Sequence, residues 1–252
     1  MQDQGIVDMA DSSLDWDLFR DTAVGRYLLK QEQGFIERAL AGAPVTSTNI
    51  LELACCTGRV SEPLRSRGFS VVGVELDPYA LDVYRRHHTN GLLVRGNVLE
   101  LPFGDNCFDC ILAIQCSSYF EPNIFLLECH RVLTSGGILI LDVTNRRNYK
   151  RMLKHFLRGK STYRVADTLS FSQWLHFLEA HQFSIQALHG YNWPPFPPEN
   201  AQFSNSKLVD VAAYAEGLLQ LRRLPALSPW LLIAATKRPV QVGGRRKPPV
   251  NL

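Results

Sequence analysis

Two short apolar runs, each closed by a carboxylate, constrain this chain more than any other feature. The first is Ile50-Leu51-Glu52-Leu53-Ala54-Cys55-Cys56-Thr57-Gly58, and the second is Val71-Val72-Gly73-Val74-Glu75-Leu76-Asp77-Pro78. Each reads as a buried strand that runs through a tight turn into a helix. Successive strand–acid–helix units, with acids about twenty residues apart, are how doubly wound sheets hold an adenosine. The pattern predicts an α/β chain with a nucleoside-binding crevice.

The remaining sequence continues the alternation of strand and helix. A first helix is expected over 21–41, with Tyr27, Leu28, Phe35, Ile36 and Leu40 at helical spacing. Strands are expected at 49–54, 70–74, 92–95, 108–114 and 138–143, the last read as a fully buried run. Helices are expected over 59–67, 78–88 and 124–133, the last closed by Ser135-Gly136-Gly137. A helix at 172–181, a strand at 183–188, a helix at 207–221 and a strand at 230–236 complete the pattern. Tyr191-Asn192-Trp193-Pro194-Pro195-Phe196-Pro197-Pro198 reads as a stiff aromatic loop outside any inner strand. The expectation is one domain over 1–236, a doubly wound, seven-stranded, mostly parallel sheet. Segments 145–170 and 190–225 would form a helical and aromatic lid above it. The basic tail 237–252 is expected to be disordered.

Composition excludes several other classes. Hydrophobic residues make up 46% of the 252 and charged residues 20%, which argues against wholesale disorder. A net charge of +3 is too mild for nucleic acid to be the main partner. No apolar run is long enough to span a bilayer. The acidic N-terminus (Asp3, Asp8, Asp11, Asp15, Asp17) lacks a signal-peptide pattern, so a cytoplasmic location is expected. The six cysteines are read as reduced thiols. Cys107-x-x-Cys110 has no second pair at similar spacing, so no metal is expected. Arg131 is read as a structural ion-pair partner, and His176 as a surface residue.

The order of these motifs resembles the class I S-adenosylmethionine-dependent methyltransferases, and within them the small-molecule branch that includes the ubiquinone-biosynthesis O-methyltransferases. Glu52 to Gly58 is similar to that family's first motif, acid-x-Gly-x-Gly-x-Gly, and Val74-Glu75-Leu76-Asp77 to its second. Gly96-Asn97-Val98 with Leu101-Pro102-Phe103 resembles the third, where Asp is usual at the Asn97 position. Glu128, Arg131-Val132-Leu133 and Gly136-Gly137 match the segment before the fifth strand. The resemblance covers residues 15–188.

It implies S-adenosyl-L-methionine as cofactor, held by Tyr27, Glu52, Ala54, Cys56, Thr57, Gly58, Glu75, Leu76, Asn97, Val98 and Gln115. Glu52 would lie near the ligand ammonium, and Glu75 would accept both ribose hydroxyls. The Asn97 amide oxygen would accept from the adenine amino group, and the Val98 N–H would donate to the ring. The N-terminal helix, through Tyr27, would close over the methionine end. Methyl transfer is an in-line displacement, so alignment of nucleophile, methyl and sulfur carries much of the catalysis.

Ala54 and Cys56 stand where the family has glycine. Cys56 is expected to keep a negative φ and merely pack its thiol; the alternative is an impaired cofactor site in a methyltransferase-like binding or scaffold protein. On the acceptor side, Tyr119 and Asn145 are the preferred catalytic pair, joined by Tyr191, Asn192 and Trp193 as substrate contacts. An apolar or ring-bearing small molecule, methylated at oxygen, would suit that lining. The segment 146–160 holds seven Lys and Arg among Met152, Leu153, Phe156 and Leu157. It is either a lid helix with a solvated basic face or a helix lying on an anionic membrane. The sequence fixes no oligomeric state.

Overall fold

The computed structural model describes residues 22–42, 49–88, 91–158, 169–194 and 206–239. Its centre is a seven-stranded sheet in the order β3-β2-β1-β4-β5-β7-β6. The strands are β1 (Asn49–Leu53), β2 (Ser70–Glu75), β3 (Leu92–Arg95), β4 (Phe108–Ala113), β5 (Leu133–Thr144), β6 (Phe183–Tyr191) and β7 (Trp230–Lys237). β7 alone runs antiparallel to its neighbours β5 and β6; the pairs among β1 to β5 are parallel. The sheet is therefore doubly wound and mostly parallel, as expected.

The helices are α1 (Ala23–Ala41), α2 (Ser61–Arg65), α3 (Pro78–His87), α4 (Pro122–Val132), α5 (Tyr149–Arg158), α6 (Phe171–Ala180) and α7 (Ser206–Leu218). Their starts follow from local chemistry. Thr22 accepts the Gly25 N–H at 3.0 Å and caps α1. Asp77 accepts the Tyr79 N–H at 3.0 Å, and Pro78 takes the first turn of α3, where no N–H is needed. Glu121 and Pro122 repeat the device at α4, with the Ile124 N–H at 2.8 Å.

Alternation along each strand sorts the core onto two faces. On one face Leu51, Leu53, Ile111, Leu139, Leu141 and Ile233 meet Phe125, Leu126 and Cys129 of α4 and Trp174 and Leu178 of α6. On the other, Ile50, Leu112, Ile140 and Leu232 meet Leu28, Phe35 and Ile36 of α1 and Leu64 of α2. Glu52 and Asp142 share the parity of Ile50 and Ile140, so their side chains leave the sheet on the α1 face.

Three expectations need correction. Ser135-Gly136-Gly137 does not close a helix. β5 already pairs at Leu133, and a register shift between Phe108 and Cys110 absorbs the extra residues, with Gly136 at φ 78°. Tyr191 is not in a loop: β6 continues to it, paired with Trp230 of β7 and fully buried. Lys237 does not begin a tail. It ends β7, and its ammonium donates to Asn106 Oδ1 at 2.9 Å and to the His130 and Leu133 carbonyls at 2.7 Å. The expected tail from 240 onward, and Pro195 to Pro198, lie outside the described residues.

Candidate functional site

The strand order reverses at β1. The chain first moves outward to β2 and β3 and then returns to β4 on the other side. In such sheets the crevice at the carboxyl ends of the strands flanking the reversal is the place for a ligand. Both motif-bearing turns open there.

The turn after β1 keeps a left-handed backbone without the family's first two glycines. Ala54 stands at φ 48° and Cys56 at φ 47°, so the expected negative φ at Cys56 is overturned. Each such residue costs of order 1 kcal/mol. What holds the turn is a set of hydrogen bonds: the Cys55 N–H donates to the Val74 carbonyl at 3.0 Å, and the Gly58 N–H to the Cys55 carbonyl at 2.8 Å. Gly58, at φ 84°, has no substitute, because a Cβ would lie 2.6 Å from His88 Nε2 and 2.7 Å from Tyr84 Cε2. That same His88 nitrogen sits 2.9 Å from the Thr57 carbonyl and anchors the turn to α3.

Glu75 ties the two turns together. Its Oε2 accepts the Cys56 N–H at 3.0 Å, while Oε1 accepts the N–H groups of Leu76 at 2.8 Å and Asp77 at 3.0 Å. A carboxylate offers about four acceptor positions, so capacity remains for a further donor. Leu76, next to it, is 54% exposed and offers an apolar surface at the same edge. Asn97 forms a local turn, its Oδ1 accepting the Leu99 N–H at 3.0 Å, and Val98 is buried. Arg131 holds this loop in place as a structural residue. It pairs with Glu128 at 2.8 Å and donates to the Phe103 carbonyl at 2.7 Å and the Leu101 carbonyl at 3.0 Å.

Beneath α1 lies a buried polar cluster that joins the expected Glu52, Gln115 and Tyr191 to Glu32, Arg59 and Asp142, which sequence reasoning missed. Glu32, fully buried, pairs with Arg59 at 2.8 Å and accepts from the Gln115 side-chain amide. The Gln115 backbone N–H donates to Asp142, and the Tyr191 hydroxyl donates to Asp142 Oδ2 at 2.9 Å. Burial, with the Glu32 charge adding to it, pushes the Asp142 carboxyl up to about 7. Glu52 accepts from the Ser61 hydroxyl, and burial pushes it up to about 8 against the pull of Arg59 and Arg65. The signals were faint but present. Glu32 falls four residues after Leu28 on the apolar stripe of α1, and Asp142 interrupts the run taken as wholly apolar.

The remaining sequence-derived residues divide. Tyr27 is buried and donates its hydroxyl to Glu216 of α7, which joins α1 to α7. Asn145 is not available to an acceptor. Its amide donates to the Ala226 carbonyl at 2.9 Å and the Ser228 carbonyl at 3.0 Å, and its oxygen accepts the Arg147 and Phe171 N–H groups. Tyr191 is likewise spent on Asp142. Asn192 and Trp193 are buried, the latter donating its indole N–H to the Gly190 carbonyl and stacking on Tyr149 with centroids 5.3 Å apart. Tyr119, by contrast, is 68% exposed on the short turn after β4.

The donor set fits S-adenosylmethionine. Gln115 Oε1 is buried without a partner, Glu52 is a buried acid whose charge a cation would stabilise, and Glu75 retains acceptor capacity at the switch point. Among the described residues, no group of three His, Cys, Asp or Glu side chains could hold a metal.

Comparison with known proteins agrees with this geometry. Residues 51–141 match the family described as methyltransferase domain. An uncharacterised methyltransferase of Mycobacterium tuberculosis is 34% identical over 105 residues, covering 42% of this chain and 43% of that one. The mitochondrial ubiquinone biosynthesis O-methyltransferase of Rattus norvegicus is 27% identical over 173 residues, covering 62% and 50%. The chain thus spans half or less of the length of these curated relatives. Among solved structures, an S-adenosylmethionine-dependent methyltransferase of Thermotoga maritima, described as a possible histamine N-methyltransferase, aligns with a TM-score of 0.60 at 17% identity. That alignment covers 91% of this chain and 97% of that one. The geranyl diphosphate C-methyltransferase of Streptomyces coelicolor, solved with S-adenosyl-L-homocysteine, aligns at 0.57 and 18%, covering 82% and 76%. The fold is shared with these solved methyltransferases.

Proposed function

We propose that this chain, which matches the methyltransferase domain over residues 51–141 and shares the fold of solved methyltransferases, transfers a methyl group from S-adenosylmethionine to a small apolar or ring-bearing molecule, at oxygen. The observation that carries the reading is Glu75, which bridges the turn after β1 to the turn after β2 at the reversal of strand order. When bound, the cofactor supplies a sulfonium methyl open to displacement. Every other part falls to the chain. Glu75 takes one hydroxyl of the ribose diol at its remaining acceptor position, and Glu52 and Gln115 Oε1 face the ammonium. Leu76, Asn97 and Val98 receive the adenine. The left-handed turn 54–58 keeps backbone close to the methionine end.

Alignment in a site shielded from water is the main source of rate. Tyr27 with Glu216 ties α1 to α7, and Tyr149 with Trp193 ties the start of α5 to the residues after β6; both contacts support a shielded site. Of the acceptor-side residues, exposed Tyr119 remains the catalytic candidate, while Asn145, Tyr191, Asn192 and Trp193 shape the wall behind it. The oxygen target rests on the likeness to the ubiquinone-type relatives.

Titration calorimetry with S-adenosylmethionine tests the cofactor. Micromolar affinity, abolished by Glu75→Ala in a chain that still melts cooperatively, is the expected outcome. A panel of phenols and carboxylic acids, followed by mass spectrometry of the methylated product, then tests the acceptor. No binding at millimolar cofactor would reduce the chain to a methyltransferase-like scaffold.

A further inference from the structure

Gln115 is held in a conformation that a glutamine rarely takes. It lies just past the end of β4 with φ at 59°, in the left-handed region. Two acids hold it there. Asp142 of β5 accepts its backbone N–H, and Glu32 of α1 accepts its side-chain amide. A carboxylate can only accept, so the amide NH2 must face Glu32. The amide oxygen is thereby turned the other way. There Oε1 is buried and has no hydrogen-bond partner among the described residues. Leaving a buried acceptor open costs free energy, so its direction calls for a donor from outside the chain.

Glu32 is itself fixed from other segments. It is fully buried on α1 and pairs with Arg59, the residue directly after Gly58, at 2.8 Å. The Tyr191 hydroxyl stands 3.4 Å from its Oε1 while donating to Asp142 at 2.9 Å. The direction of each bond in this series follows from its neighbour. Arg59 can only donate, Glu32 can only accept, and Gln115 must therefore donate to Glu32 and keep its oxygen free.

We propose that Glu32 is a positioning residue for the cofactor: it locks the Gln115 amide so that Oε1 accepts from the cofactor's ammonium. The inference rests on the proposed binding of S-adenosylmethionine and adds the residue that sets the direction of that hydrogen bond. An amide at position 32 would reverse the series. Its oxygen would go to Arg59 and its NH2 to Gln115. Gln115 would then turn over to accept and would set its own NH2 against the ammonium, donor against donor.

S-adenosyl-L-homocysteine and methylthioadenosine test this on the full chain by titration calorimetry. Both carry adenosine and a thioether, and only the first has the amino-acid end. E32Q is expected to weaken S-adenosyl-L-homocysteine at least about tenfold, the scale of a hydrogen bond to a charged group, and to leave methylthioadenosine within about twofold of the parent. The swap E32Q/Q115E keeps the total charge and restores the pairing, because the amide at 32 donates to the carboxylate at 115, whose second oxygen stands where Oε1 stood. It should bring S-adenosyl-L-homocysteine back to within about threefold of the parent. E32Q loses the ion pair with Arg59 and melts lower whatever Glu32 does for the ligand; the swap carries the same loss and so controls for it. In a Q115M background, which has no amide to orient, E32Q should change the affinity by no more than about twofold. Equal weakening of both ligands, failure of the swap, or a full further loss in the Q115M background would each overturn the inference. A parent that binds S-adenosyl-L-homocysteine, with E32Q binding it as tightly, overturns this inference alone. A parent that binds neither ligand overturns the proposed function and this inference with it.

Discussion

At position 56 a cysteine occupies a backbone conformation that L residues avoid. Replacing it by glycine removes strain of order 1 kcal/mol and returns part of that gain to the entropy of the unfolded chain. Cys56→Gly is therefore expected to stay within about 1 kcal/mol of the parent in urea denaturation and to bind cofactor no more weakly. Cys56→Val, β-branched at the same φ, should lose more than about 1 kcal/mol relative to the glycine variant. Equal stability of the two would mean that the turn is not left-handed in solution. Glu52, on the strand that leads into this turn, sets a pH dependence. Its ordinary value of 4.5 is raised to about 8, chiefly by burial. Its contribution to stability is thus fully present below about pH 4.5 and is lost as pH rises through about 8. Asp142 acts in the same direction over 3.8 to about 7. Ligand-free stability should fall across this window, and Glu52→Gln should flatten the fall by more than about 1 kcal/mol. Affinity for an ammonium-bearing ligand should move the opposite way and strengthen toward pH 8, because the deprotonated acid is the form that receives a cation. A flat affinity profile from pH 6 to 8 would place the ammonium away from Glu52.

The elements are joined at the site by charge as much as by apolar contact. Arg59, at the start of the segment leading into α2, is the cation that holds Glu32 of α1. Arg59→Met leaves Glu32 buried without its ion-pair partner and is expected to cost about 3–5 kcal/mol. Adding Glu32→Leu should recover most of that loss, since the pair exchanged together removes both desolvation costs. Failure of the double variant to recover would show that Arg59 is held mainly by other groups. This joint also shows what sequence could and could not convey. β1, β2 and β4 were legible because each is an apolar run set against a turn motif, a local pattern. α3 was legible from Pro78 at its first turn, whereas α4 was read only from Ile124 onward and its start at Pro122 was missed. Glu32 and Asp142 were not legible, because a buried acid is recognisable only once its partners from distant segments are known. Asn145 looked like a site residue from its place after β5, yet its four hydrogen bonds go to backbone 147, 171, 226 and 228. Tyr191 was drawn into the proline-rich loop by its neighbours in sequence, and its pairing with Trp230 could not be read without β7.

For the whole molecule, the decisive feature is that the crevice is formed by two turns that Glu75 fastens to one another before any ligand arrives. A cofactor that binds the folded chain alone must then raise global stability by mass action. At a hundredfold excess over Kd the gain is about 2.7 kcal/mol. A chain of this size converts that into a melting shift of about 5–11 °C, at about 2–4 °C per kcal/mol. Calorimetric melting with and without S-adenosylmethionine measures it directly. Glu75→Ala should lower the ligand-free melting temperature, because three backbone N–H groups lose their acceptor. It should also abolish the ligand-induced shift. A variant that melts lower yet keeps the full shift would mean that Glu75 serves the fold alone, and the ribose would have to be sought at another acceptor.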